Sequence, residues 1–167
     1  MTNTRFAVDS NFLMHLARSR EVALDALDVI RRRARGLKIL VVPAVFDELA
    51  HKAENDPNPE IRALTRKAIT GMKAWDAFLA ELADPQDSIA HSIANKLLVQ
   101  GVIPWEERND ALILAQAAVL GCQMLITSDS DLCDADRAQL ARVLWECDVS
   151  EVVVRTPVEI VRDFGGR

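Results

Sequence analysis

Four acids in this chain stand where a carboxylate can do chemistry: Asp9, Glu48, Asp110 and Asp129, in the settings FAVDSN, PAVFDELA, NDALILA and LITSDSD. Each follows or opens an apolar stretch. Carboxylates gathered at one point bind hard divalent cations through oxygen, and such cations promote hydrolysis of phosphodiesters. Asp131 is a further candidate, though an acid in the first turn of a helix is also explained by capping. Taken singly, the others have ordinary explanations too. Asp9 could serve as an N-cap, and Glu48 stands four residues before Lys52, the spacing of a surface ion pair.

The elements that must position these acids follow from hydrophobic spacing. Arg5–Val8, residues 37–42, residues 123–127 and residues 151–155 read as strands. Phe12, Leu13, Leu16 and Ala17 mark a helix after Asp9, and Val22, Leu24, Leu27 and Ile30 mark another over residues 21–35. The basic end of that second helix, Arg31 to Arg35, complements the helix dipole and reads as a solvated face. Pro43 opens a helix carrying Glu48. After the linker Asn55-Asp56-Pro57-Asn58-Pro59, one stripe runs from Ile61 through Leu64, Ala68, Met72, Trp75 and Leu79 to Leu82. Pro85 interrupts, and a further helix through Ile89, Ile93 and Leu97 ends near Gly101. These two helices, around residues 60–101, are expected to form a hairpin laid against the main body, with a dimer or partner surface as the second use of their stripes.

Residues 109–131 organise the chain. Ala111 to Leu120 leave only Gln116 polar, so this helix is expected to be enclosed on most of its circumference, with Gly121 as its stop. Residues 135–146 form the next helix with Asp134 as a candidate cap, and Thr156-Pro157 opens a closing helix. Strands alternating with helices favour an α/β sheet of four to five parallel strands with right-handed crossovers. In that architecture strand carboxyl ends and helix amino ends share one edge, where ligands bind. Asp9 and Asp129 follow strands, Glu48 lies in the second turn of its helix, and Asp110 lies in the first turn of the buried one.

Magnitudes then favour a cation. Two carboxylates ~4 Å apart repel by roughly 4 kcal/mol at an effective dielectric near 20, whereas a helix amino end offsets only about 0.3 to 1 kcal/mol. Such a cluster needs bound protons or an ion, and an all-oxygen set with room for water suits Mg²⁺ or Mn²⁺ rather than zinc. The ion would polarise a phosphodiester and lower the pKa of an attacking water, with a second ion about 3.5 to 4 Å away able to share the work.

Composition sets the outer limits. At 167 residues, 50% hydrophobic and 27% charged, the chain suits a single domain over 1–167. No apolar run approaches the roughly 20 residues of a membrane span. Met1 to Arg5 lacks a signal-peptide profile, which makes the cytoplasm the expectation. Cys122, Cys133 and Cys147 have no close cysteine or histidine partner in sequence and read as reduced thiols. A net charge of -5 is unfavourable for broad electrostatic binding of nucleic acid, so phosphate recognition would need local positive charge.

At these residues the chain resembles the PIN-domain family, which includes the ribonuclease toxins of bacterial toxin–antitoxin pairs. Val8-Asp9-Ser10-Asn11 is similar to the family's opening strand and first acid. Residues 43–49 resemble its second block, which selects Glu48 over Asp47. Residues 109–115 resemble the third, an acid opening an Ala-rich helix. Residues 125–132 resemble the fourth, with Thr127 as supporting hydroxyl and Asp129 as acid, although Leu132 stands where the family often has an aromatic. The resemblance implies a Rossmann-like three-layer fold and a Mg²⁺- or Mn²⁺-dependent endoribonuclease site. It also implies frequent homodimers and often a small antitoxin that obstructs the site. Asp9, Asp110 and Asp129 would bind the principal ion and Glu48 an edge position, with Ser10, Asn11 and Thr127 orienting the carboxylates.

The competing reading is a non-catalytic RNA-binding or assembly module on the same fold. It leaves converging carboxylates without a purpose. A receiver-type signalling domain would distribute its acids differently. Arg108 adjoins the site and has two readings, a phosphate contact or a salt bridge to Glu106 or Glu107. His15, His51 and His91 lack the spacing of a zinc or nucleophile site.

Overall fold

Parallel strands covered on both faces must be apolar where they are covered, and the central residues of these strands are. The computed structural model describes residues 4–166, so the leader reading on Met1–Asn3 lies outside the described residues, as does Arg167. β1 (Arg5–Val8), β2 (Lys38–Val41), β3 (Ala77–Leu79), β4 (Met124–Ile126) and β5 (Val153–Arg155) form one parallel sheet in the order β3-β2-β1-β4-β5. Ala7, Val8, Val41, Leu125 and Ile126 are fully buried in it. Phe6 pairs with Ile39 on one side and Met124 on the other, which sets β1 at the centre.

Helices connect the strands on the expected plan. α1 (Ser10–Ala17) and α2 (Glu21–Arg33) lead to β2, and α3 (Pro43–Asn55) and α4 (Pro59–Gly71) lead towards β3. α5 (Asp84–Val99) and α6 (Arg108–Val119) return the chain to β4, α7 (Ser130–Cys133) and α8 (Arg137–Glu146) lead to β5, and α9 (Pro157–Phe164) follows. The chain moves outward from β1 to β3, crosses back, and moves outward again from β4 to β5. Strand order therefore reverses between β1 and β4, where crossovers depart to opposite sides and open a crevice at the carboxyl edge.

α6 occupies the interior as its composition requires. Ala111, Ile113, Leu114, Ala115 and Ala117 are fully buried, and α5 lies along it. Gln116 is buried as well, and its Oε1 accepts a hydrogen bond from the Ala44 amide at 2.9 Å. That bond serves as the missing cap of α3, because Val42 has no side chain able to make one. Gly121 (φ +70°) ends α6 in the left-handed conformation, the expected stop.

The region of residues 60–101 departs from the sequence pattern. Both helices are present, but the stripe from Ile61 to Leu82 is not one helix. α4 ends at Gly71, a 3₁₀ turn covers Met72–Trp75, Asp76 turns left-handed at φ +56°, and β3 pairs with β2. Three residues are too few to display a strand period, so Phe78 and Leu79 pass for the end of a helical stripe. Nor is there a hairpin arrangement: α4 packs on α3 and α1, while α5 packs on α6 and α8. Pro85 sits in the first turn of α5 and helps to open it. Asp136, not Asp134, caps α8 by accepting from the Gln139 amide at 2.9 Å.

The arginines that end α2 are exposed, as expected of a solvated face, but they are not left to solvent alone. Arg31 pairs with Asp76 and Arg32 with Asp28, while Arg33 donates to the Phe164 carbonyl, so the basic end of α2 is occupied structurally. Cys122, Cys133 and Cys147 are free, and burial pushes the Cys122 thiol up to about 11. Among the described residues no helix is long and apolar enough to cross a membrane.

Gly71 yields a test of the junction. An added Cβ would lie 2.5 Å from the Trp75 ring, which packs against the core. In an ordinary helix Gly→Ala is stabilising by about 1 kcal/mol. Here Gly71→Ala is expected to reverse that sign and cost about 1–2 kcal/mol through overpacking, a fall of roughly 2–8 °C in thermal midpoint. A raised midpoint would contradict the packing.

Candidate metal centre

The ladder between β1 and β4 does not stop at Val8. The Asp9 amide donates to the Ile126 carbonyl at 2.9 Å, which carries Asp9 to the lip of the crevice beside Thr127. Asp9 Oδ1 accepts from the Ser10 amide at 2.6 Å, and Oδ2 accepts from Thr127 Oγ1 at 2.8 Å and Asn11 Nδ2 at 3.2 Å. Asn11 Oδ1 accepts from the Ser128 amide at 3.1 Å, and Thr127 Oγ1 accepts from the Asp129 amide at 2.9 Å. These bonds tie the end of β1 to the end of β4. Asp129 caps α7, its Oδ1 accepting from the Asp131 amide at 2.8 Å.

Glu48 reaches the same edge from the second turn of α3. Its Oε1 accepts from Ser10 Oγ at 2.7 Å and from Lys52 Nζ at 3.1 Å, and its Oε2 accepts from Asn109 Nδ2 at 3.0 Å. The expected ion pair with Lys52 is therefore present, within a wider network. Asp47 faces solvent.

Asp110, the third residue of α6, is held differently. It is 9% exposed, and its Oδ2 is, among the described residues, the buried side-chain oxygen or nitrogen without a hydrogen-bond partner. Carboxylate oxygens of Glu107, Asp110 and Asp131 lie within 4.8 Å of one another, a grouping that could hold a metal ion. A set of donors that are all carboxylate oxygens is the donor chemistry of a hard cation. The tightest group thus contains Asp110 and Asp131 from the expected set, with Asp9, Glu48 and Asp129 coupled to Asp110 electrostatically. Its third member, Glu107, was not singled out from sequence. It precedes Asp110 by three residues, the spacing that puts two side chains on one helix face, and that was the available signal. Arg108 does not divert it: the guanidinium stacks on the Trp105 ring, 4.9 Å from its centroid, and among the described residues makes no ion pair.

Crowded acids raise one another's affinity for protons. Asp9 is pushed up to about 6, first by burial, against the Thr127 hydrogen bond, and further by Glu48 and Asp129. Asp110 is pushed up to about 7 by burial, then by the charges of Asp129, Asp9, Glu107 and Glu48. Among the described residues no ion pair balances Asp110.

The sign of the pH dependence follows. Above pH 4 the unfolded chain has released the protons of both aspartates, while the folded chain retains that of Asp9 up to about pH 6 and that of Asp110 up to about pH 7, so stability falls as pH rises through that window. A tenfold change in proton affinity is worth about 1.4 kcal/mol, so the effect is large enough to see. Without divalent ions the thermal midpoint is expected to fall by several degrees between pH 5 and pH 8. Asp110→Asn is expected to flatten that dependence and raise the midpoint at pH 8 by about 2–6 °C. Scanning calorimetry in EDTA checks it; a midpoint lowered by this substitution would count against the charge crowding.

Comparison with known proteins accords with this arrangement. The family model described as PIN domain matches residues 6–138. VapBC2 from Rickettsia felis, in a crystal structure bound to a DNA fragment from its promoter, has a chain similar at TM-score 0.63 and 12% identity, over 92% of this chain and 98% of that one. VapBC-1 from nontypeable Haemophilus influenzae gives 0.61 and 15% identity, over 93% and 99%. FitAcB from Neisseria gonorrhoeae gives 0.57 and 15%, over 92% and 98%. A search of curated protein sequences finds no match. With a parallel sheet that reverses its order between β1 and β4, acids at that edge, and a family model spanning most of its length, the chain belongs to the PIN-domain family.

Proposed function

We propose that this protein, as a single PIN-like domain over residues 1–167, is a metal-dependent endoribonuclease that hydrolyses phosphodiester bonds in RNA. The observation that carries the proposal is the unpartnered Asp110 Oδ2, buried against four neighbouring acids. An arrangement this unfavourable persists when a cation offsets it, and family membership supports hydrolysis as the purpose.

Asp110, Glu107 and Asp131 would hold Mg²⁺ or Mn²⁺, with Asp9 and Asp129 completing the acidic wall and Glu48 at its rim. The ion would supply positive charge to the phosphodiester and lower the pKa of the attacking water. Ser10, Asn11 and Thr127 restrict how the carboxylates turn, as their hydrogen bonds to Asp9 and Glu48 imply. Asp9, with its affinity for a proton raised towards neutrality, has the acidity suited to accepting one from water near pH 7. Burial of Asp9, Asp110 and Thr127 limits competing solvent around these groups.

The likeness of residues 8–11, 43–49, 109–115 and 125–132 to ribonuclease toxins supports a further reading. The protein would be the toxin of a toxin–antitoxin pair acting in the cytoplasm, as a homodimer, restrained by a small antitoxin that obstructs the acidic edge. A non-catalytic RNA-binding module accounts less well for the site, since binding alone gives no reason to leave a buried carboxylate oxygen unpaired.

Cleavage of a panel of labelled RNAs in Mn²⁺ tests the proposal. Asp129→Asn, Asp110→Asn and Glu107→Gln are each expected to lower the rate at least about a hundredfold. Mn²⁺ should raise the midpoint of the native protein and raise that of Glu107→Gln much less, by the mass action of an ion that binds the folded state. Full activity in all three variants would falsify the nuclease reading.

A further inference from the structure

The chain carries a net charge of -5 and a cluster of acids at the site where a polyanion would have to react. Whatever nucleic acid reaches that site must be held by groups beside it. Two sets of such groups are linked to Glu48, one through each of its carboxylate oxygens.

On one side, Glu48 Oε2 accepts from Asn109, whose chain neighbour Arg108 stacks on Trp105. Trp105 is 49% exposed, and it precedes Glu107 of the acidic trio by two residues. An exposed indole backed by a guanidinium offers a π surface and a positive charge together, the features on which unpaired bases stack. Core packing does not explain a half-exposed tryptophan here, and among the described residues no acid takes the Arg108 charge.

On the other side, Glu48 Oε1 accepts from Lys52, which lines a shallow groove of about 340 Å³ with Asn11, His15, Arg18 and Asp56. Asn11 itself donates to Asp9, so the groove opens directly beside the acids. Lys52 is paired with Glu48 there, which leaves Arg18 as the groove's exposed cation without an ion pair or side-chain hydrogen bond among the described residues. His15 is held below its ordinary range, first by burial and then by the charges of Arg20 and Arg18.

We propose that these two sets form one track for single-stranded RNA: a base stacks on Trp105 against Arg108, the strand crosses Glu48, and phosphates of the continuing strand lie in the groove of Lys52, His15 and Arg18. The track rests on the nuclease reading for its substrate, but its contacts need no ion and no cleavage. A duplex cannot offer an unpaired base to Trp105, so the track selects single strands.

The test is fluorescence anisotropy of a fluorescein-labelled 12-nucleotide single-stranded RNA in EDTA, where hydrolysis by a metal-dependent site cannot occur. Trp105→Ala is expected to weaken binding about tenfold or more, while Trp105→Phe keeps most of it. Arg18→Ala is expected to weaken binding and reduce the slope of log affinity against log salt by about 0.7, the amount for one phosphate contact on a single strand; Arg18→Lys should restore the slope. The blunt-ended duplex of the same sequence should bind less tightly than the single strand and be insensitive to Trp105→Ala. Unchanged single-strand affinity in both alanine variants, or duplex binding as tight as single-strand binding, overturns the track. Neither result touches the nuclease reading, which fails separately if Mn²⁺-dependent cleavage is absent while the binding losses are found.

Discussion

Repulsion among carboxylates is the constraint to which the rest of this molecule answers. The parallel pairing of β1 with β4 brings the acids that follow two separate strands to the same lip, and α3 and α6 bring others by their amino-terminal turns. Three of these acids are then given donors. Asp9 accepts from Ser10, Asn11 and Thr127; Glu48 accepts from Ser10, Lys52 and Asn109; Asp129 accepts from the amide of Asp131. Asp110 Oδ2 is left over. A cation placed beside that buried oxygen would relieve part of the repulsion.

The interior transmits position to this edge through few bonds. α6 is built of Ala, Ile and Leu so that neighbouring helices can approach, and its one polar residue between Ala111 and Leu120, Gln116, is committed to the Ala44 amide. That bond fixes the first turn of α3, and Glu48 stands one turn further on. Asp110 stands on α6 itself, nearly two turns before Gln116. The relative placement of Glu48 and Asp110 is thus set by one buried amide and by the Asn109 bond at the rim, with apolar packing between them. Polar specificity inside an apolar contact costs desolvation, and the Gln116 carbonyl and the Ala44 amide offset it by satisfying each other.

Much of this is legible in the sequence. Alternating strands and helices imply a parallel sheet, and a parallel sheet dictates which loops share an edge, so Asp9, Asp110 and Asp129 can be gathered by topology alone. Thr127 and Asn11 are legible by the same logic, as polar residues where apolar runs end. β3 is not legible, because Ala77-Phe78-Leu79 is shorter than the period that would betray it and its apolar residues extend the spacing of α4. The left-handed turn at Asp76 that separates them leaves no strong trace in residue type. Glu107 escapes for another reason: beside Arg108 it reads as half of an ion pair, and only the stacking of Arg108 on Trp105 releases it.

Capping and metal ligation compete as explanations for Asp9 and Asp131 in the sequence, and in the structure the caps are Asp9 and Asp129, whose geometry is compatible with both uses. A carboxylate that accepts a backbone amide through one oxygen loses its freedom to rotate, and its other oxygen is thereby aimed. Asp129 commits Oδ1 to the Asp131 amide, so the same bond that caps α7 also fixes where Oδ2 points and where Asp131 begins its turn. Asp9 commits Oδ1 to Ser10, whose hydroxyl continues to Glu48. Helix amino ends therefore do two things at this edge. Their free amides soften the repulsion by a fraction of a kcal/mol to about 1 kcal/mol each, and they help to set carboxylate orientation, at Asp9 together with Thr127 and Asn11. A cap that only stabilised its helix could be Ser or Asn as readily as Asp; a cap that must also present a second anionic oxygen to the crevice can only be an acid.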